Sequence, residues 1–158
     1  MNKKSIVRYT FLTISVALML IIFFFSAQNG TQSGGISERF SKWLAELLHP
    51  VFPSEAVIFL TRHIRKIAHV FIYLCLGISV SVCVFTFPFK NSWLYFLLPV
   101  LVCFLYACSD ELHQLFVSGR EGTPTDVLID SIGFVSAVIA SNFVRIFINN
   151  KKKKGCNR

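Results

Sequence analysis

The stretch Asp110-Glu111-Leu112-His113-Gln114, followed by Gly119-Arg120-Glu121 and then Asp126 and Asp130, decides how this chain is read. Five of the eight carboxylates fall within these 21 residues. The stretch joins two apolar blocks, Trp93–Ala107 and Val127–Ile148, and two more lie upstream, Tyr9–Phe25 and Ile67–Phe87. A helix that crosses a bilayer needs roughly 17–25 predominantly apolar residues. Three blocks reach that length. The third contains Pro99 and reaches it only if its helix continues through Cys108 and Ser109 to the acidic pair. The chain has 158 residues, 54% of them hydrophobic, and a soluble domain of this length has too little interior to hide them. Unpaired backbone is not tolerated in lipid. The expected fold is therefore all-α, a multi-pass membrane bundle of four transmembrane helices plus a short external amphipathic helix.

The expected spans are residues 9–25, 67–87, 93–109 and 127–148. External loops cover 27–64 and 110–126, and a basic tail covers 149–158. The net charge of +8 reflects basic residues that lie mostly beside apolar blocks. With both termini cytoplasmic, ten of the sixteen basic residues are inside, including Lys3, Lys4, Arg8 and Lys151–Lys154, and six are outside. This is the bias that orients membrane proteins. The lysine run reads as a stop-transfer flank beside anionic lipid, and no nucleic-acid role is expected. The first block resembles a signal peptide but has a longer apolar core than the usual ~7–15 residues and no small-x-small site after it, so it reads as an uncleaved anchor. Five cysteines with no CxxC pair support neither a disulfide framework nor a metal cluster.

In the first external loop, residues 26–35 carry turn chemistry. Ser37 is placed to cap a helix whose Phe40, Trp43, Leu44, Leu47 and Leu48 share one face, away from Glu38, Lys42 and Glu46. Such a helix lies on the membrane surface or packs over the bundle. Pro53-Ser54 starts a further helical piece leading towards the second span. Thr125 is placed to cap the last helix.

Counting spans brings four polar segment ends to one leaflet: Ser26 and Gln28; Arg65, Lys66 and His69; Asp110, Glu111, His113 and Gln114; Asp126 and Asp130. Arg120 lies in the loop between the last two. Arg65, His69 and Tyr73 recur at i, i+4 and i+8 and share a helical face, as do Asp126, Asp130 and Gly133. A buried carboxylate must be paired or protonated, and Arg65, Arg120 and His69 are the available partners. Gly77 and Gly133 allow close helix approach. The cluster fits an ionic lock between helices or a site for a polar or anionic ligand gripped by Arg65 and Arg120. Catalysis with His69 or His113 as base is less favoured, because no Ser or Cys nucleophile stands beside them. Asp110, Glu111 and His113 do not follow a known metal-ligand spacing, so no metal and no cofactor are expected. Four helices are few for a pore unless the chain forms a homo-oligomer, which stays open.

At these residues the chain resembles the VanZ-like family of bacterial membrane proteins. The resemblance runs from about Phe25 to Ala137. It is carried by Phe25-Ser26-Ala27-Gln28-Asn29-Gly30, by Arg65-Lys66-Ile67-Ala68-His69 with Tyr73 and Gly77, and above all by Ser109–Arg120 with Asp126–Asp130 and Gly133. Ser118 stands where many relatives have Pro, and Ala137 where many have a second Gly. The resemblance implies a multi-pass protein of the cell envelope. The family takes its name from a member linked to low-level resistance to the glycopeptide teicoplanin. The expected function is therefore non-enzymatic: binding or shielding a cell-wall precursor or anionic lipid at the lipid bilayer, with lowered glycopeptide susceptibility as a consequence. The alternative is a membrane-embedded enzyme acting on a lipid-linked or phosphate-containing substrate with a His/Asp acid–base pair.

Overall fold

Apolar side chains on the outside and carboxylates within give this bundle the opposite polarity to a soluble protein. The computed structural model describes residues 2–28, 30–48, 50, 52–119 and 122–156; for 30–34, 36–38, 41, 62, 65 and 152–156 it describes the backbone alone. Five helices are present among the described residues: α1 (Lys3–Ser26), α2 (Gly30–Leu48), α3 (Ser54–Phe85), α4 (Leu94–Gln114) and α5 (Pro124–Cys156). Lys3–Ser26, Lys66–Phe85, Leu94–Gln114 and Pro124–Lys151 are long and apolar enough to cross a membrane, and at most 33% of each apolar window is buried. Phe71, Phe143, Leu105 and Leu128 are exposed, whereas Asp110, Glu111, Gln114 and Asp130 are buried. Water would penalise both choices; hydrocarbon outside and helix partners inside favour them.

Local chemistry explains most helix ends. The Asn2 side chain accepts from the Lys4 N–H and caps α1. Glu55 stands in the first turn of α3, where the helix dipole favours an anion. At the other end of α3 the Thr86 hydroxyl donates to the Cys83 carbonyl, and Pro88 prevents continuation. Tyr95 ties the short connection to α4: its hydroxyl accepts from the Phe89 N–H and donates to the Phe87 carbonyl. α5 starts with Pro at its first position, one residue before the expected cap Thr125, which lies inside the first turn.

All four membrane-length helices run further than the apolar blocks, α1 beginning at Lys3. α4 continues through the acidic pair to Gln114, so residues 110–114 of the expected loop are helical. α3 begins at Ser54 and runs unbroken for 32 residues, ~48 Å against a hydrocarbon thickness of ~30 Å. α5 carries on through the lysines of the basic tail. The amphipathic helix begins at Gly30 rather than at Ser37, which is interior to α2. Gly in a helix costs about 1 kcal/mol and does not forbid it, which is why Gly30, Gly34 and Gly35 read as a turn and are helical. Leu44 and Leu48 are half-buried; Phe40, Trp43 and Leu47 are exposed.

α3 packs against every other helix, most extensively against α5. Gly77 and Gly133 make that seam. A Cβ on Gly133 would overlap the Val70 carbonyl oxygen, and one on Gly77 would lie 2.9 Å from both the Ala137 Cβ and the Phe134 carbonyl. Ala137 thus sits in the space Gly77 leaves. Serines link α1 to α3: Ser15 Oγ donates to Ser79 Oγ (2.9 Å), which donates to the Phe11 carbonyl (3.0 Å). α4 and α5 are joined where Pro99 lacks an N–H. The carbonyl that N–H would have met, four residues back at Tyr95, accepts from Asn142 Nδ2 at 3.0 Å. Tyr73, Leu76, Val80, Cys103, Ala107, Phe134 and Ile22 fill the core.

Candidate functional site: a buried acidic cluster at one end of the bundle

The cluster forms where α1 and α4 end and where α5 begins, against the middle of α3. α4 supplies most of it. Asp110, Glu111 and Gln114 lie at i, i+1 and i+4 on the last turn and are 2%, 6% and 3% exposed. Ser26, the last residue of α1, donates its hydroxyl to Asp110 Oδ2 at 2.9 Å. Gln114 Nε2 reaches the same oxygen (3.2 Å) and Glu111 Oε1 (3.3 Å). The Thr123 N–H, just before α5, donates to Glu111 Oε2 at 2.9 Å. Glu111 therefore ties the end of α4 to the start of α5. Gly122 fits beneath it, since a Cβ there would overlap the Glu111 carbonyl oxygen.

α3 and α5 supply the other half. His69 Nδ1 lies 3.6 Å from Asp130 Oδ1, with Asp130 1% exposed and His69 partly open. One turn below His69, Tyr73 is fully buried, its ring near those of Tyr106 and Phe134, and it stands within electrostatic reach of Asp110, Asp130 and Glu111. The Tyr106 hydroxyl donates to the Met19 carbonyl. Lys66 Nζ pairs with Asp126 Oδ1 at 3.4 Å near the surface, where such pairs contribute little. His113 stacks on Phe23, ring centroids 4.5 Å apart.

The structure thus brings Asp110, Glu111, Gln114, His69 and Asp130 into one buried region, with Asp126 at its edge and His113 against α1. Gln28 is half-buried two residues beyond α1. Arg120 lies outside the described residues, as does the side chain of Arg65, whose backbone is in α3. Of the three partners read for a buried carboxylate, His69 lies beside Asp130, and the side chains of Arg65 and Arg120 fall outside what is described. Span counting and helical spacing put Ser26 and Tyr73 near the cluster and give neither a role. Ser26 is the residue that brings α1 into it, and its signal was a lone hydroxyl at the end of an apolar run. Thr123 takes part through its backbone, which no side-chain pattern reveals. Among the described residues no three His, Cys, Asp or Glu side chains converge to hold a metal ion.

Four polar atoms of this region are buried without a hydrogen-bond partner among the described residues: Asp110 Oδ1, Asp130 Oδ2, Tyr73 Oη and His113 Nε2. Buried polar atoms are ordinarily satisfied, because leaving one unpaired costs about 1–3 kcal/mol. Two of the four can only accept while ionised, and the tyrosine hydroxyl can donate. A small group that both donates and accepts matches this set.

Fold and site together define a helical bundle with four membrane-length helices and an acidic cluster at one end. The VanZ/LLP1 family model matches residues 11–145, and the chain belongs to this family. No curated protein and no solved structure matches it.

Proposed function

We propose that this chain is an integral protein of the bacterial cell membrane, with both termini cytoplasmic, whose acidic cluster faces the outer leaflet and binds the polar head of a lipid-linked or cell-wall ligand without chemical turnover. The observation that carries the reading is the set of buried atoms on facing helices that have no partner among the described residues. An ionic lock alone would pair its carboxylates; among the described residues one oxygen of Asp110 and one of Asp130 have no partner. Their chemistry favours a head bearing hydroxyl or amine groups beside any phosphate. Holding such a precursor near the membrane would lessen its capture by lipophilic glycopeptides, and this is the link to teicoplanin that the family name supplies.

The test compares Asp110→Asn, Asp130→Asn and His69→Ala with the parent protein. Yield and thermal stability in detergent are followed together with stabilisation by a polyprenyl-linked cell-wall precursor and teicoplanin susceptibility in cells. The expected result is folded variants that lose stabilisation by the precursor and shift susceptibility. If the variants only lose stability, and the parent is not stabilised by the precursor, the cluster is a lock and the binding reading fails.

The His69–Asp130 pair favours a second reading, a membrane-embedded enzyme acting on the same class of substrate. A carboxylate beside Nδ1 orients the ring so that Nε2 can move a proton. In that case His69→Ala still binds the precursor, and the parent protein converts it into a product that the variant does not make.

A further inference from the structure

At the end of the bundle away from the carboxylates, a groove of 680 Å³ opens between α3 and α5. Leu74, Ile78 and Val82 form one wall and Ala137, Ala140 and Val144 the other. Along α5 it runs from Ser136 to Asn149, ~20 Å of helix axis. That is about two-thirds of a ~30 Å hydrocarbon layer, length enough for an acyl chain lying along the seam.

Arg145 is the cation that lines the groove. Its guanidinium carbon lies 4.0 Å from the Tyr95 ring centroid and 5.3 Å from that of Phe85, so two rings hold it in place. Its Nε is buried and has no hydrogen-bond partner among the described residues. Among the described residues no carboxylate pairs with it, and in the sequence all eight Asp and Glu residues lie within 38–55 and 110–130. Further positive charge gathers at this end. Arg8 donates to Thr86 and stacks on the Phe87 ring at 3.9 Å, and Lys151 lies over Phe147. A planar guanidinium fork matches phosphate oxygens in pairs, and basic pockets between membrane helices take anionic head groups.

We propose that this groove seats one anionic phospholipid, an acyl chain lying between α3 and α5 and its phosphate accepting hydrogen bonds from Arg145. The site is separate from the acidic cluster and does not depend on the function proposed for it. The full-length protein, purified in detergent, is titrated with phosphatidylglycerol and with phosphatidylcholine, and retained lipid is counted by native mass spectrometry. One phosphatidylglycerol is expected to be retained at a concentration about fivefold lower than phosphatidylcholine, the preference that one cation near an anionic head supplies. Arg145→Gln should abolish that preference, and Arg145→Lys should keep part of it. Ala140→Trp should fill the groove and remove retention of both lipids while thermal unfolding stays unchanged. Equal retention of the two lipids by the parent protein overturns the proposal whether or not the variants fold. So does a preference that survives Arg145→Gln in folded protein. A dimer that Ala140→Trp dissociates without altering lipid retention would show that a second copy covers this face, and would also overturn it.

Discussion

Ser26 shows how much one hydroxyl decides at the residue scale. It is fully buried, and it carries the α1 contribution to the hydrogen bonds on Asp110. Ser26→Ala removes a donor from a buried carboxylate and should cost about 1–3 kcal/mol of stability. Ser109→Ala makes the control: that hydroxyl is exposed, bonds only within its own helix, and its loss should change stability by under about 0.5 kcal/mol. Thermal unfolding of the two purified variants in detergent checks the difference, and equal losses would mean that Ser26 does not anchor Asp110. Lys66→Ala should behave like the control, since its partner Asp126 is near the surface. The acidic cluster was legible in the sequence because charge inside an apolar chain has few places to go. Asp110, His69 and Asp130 were recognisable from helical spacing and span counting alone. What spacing could not supply was which atoms meet. The Thr123 amide on Glu111 depends on the backbone course around Gly119, whose φ of 75° turns the chain after α4.

Individual helices are held by the space they leave as well as by what they fill. Gly133→Ala places a methyl group against the Val70 backbone, which cannot rotate away, and should cost about 1–3 kcal/mol by forcing α5 off α3. Gly35 meets nothing within 4 Å, so Gly35→Ala should leave the fold unharmed and raise helix stability by up to about 1 kcal/mol. Circular dichroism melts of both variants separate the two roles. Pro99 and Asn142 form a second such device. Asn142→Ala strips the Tyr95 carbonyl of its donor and should be destabilising, whereas in a Pro99→Ala background the restored backbone N–H takes over that carbonyl and Asn142 matters less. A double-mutant cycle measures the coupling, expected at about 0.5–3 kcal/mol. Additive losses would mean that the amide serves Val138 alone, its other acceptor. The four apolar helices were legible because hydrophobic length is a direct physical requirement of the bilayer. Their ends were not. α3 extends to Ser54 and α2 packs against it, a tertiary contact that hydropathy does not register.

At the scale of the whole molecule, a single asymmetry organises the rest: the buried carboxylates gather at one end, and among the described residues the charged side chains of the other end are cations. Termini on the cytoplasmic side would be tested by a membrane-impermeant maleimide. It should label Cys156 only in permeabilised cells, and a Ser118→Cys probe between α4 and α5 in intact ones. The reverse pattern would invert the bundle and place the acidic cluster inside. The native cysteines Cys75, Cys83, Cys103 and Cys108 lie within the apolar helices and should contribute little background. The Gly77–Gly133 seam has a consequence for the order in which the protein can be built. Its two halves are separated in the chain by all of α4, so the most extensive helix contact forms only after the last helix has left the ribosome. Until then Gly77 faces lipid, Asp130 has not yet reached His69, and Glu111 lacks the Thr123 amide. A nascent chain halted before residue 123 therefore exposes an acidic helix end of the kind that membrane quality control removes. Loss of the final helix would accordingly yield rapid degradation instead of a shorter, working protein.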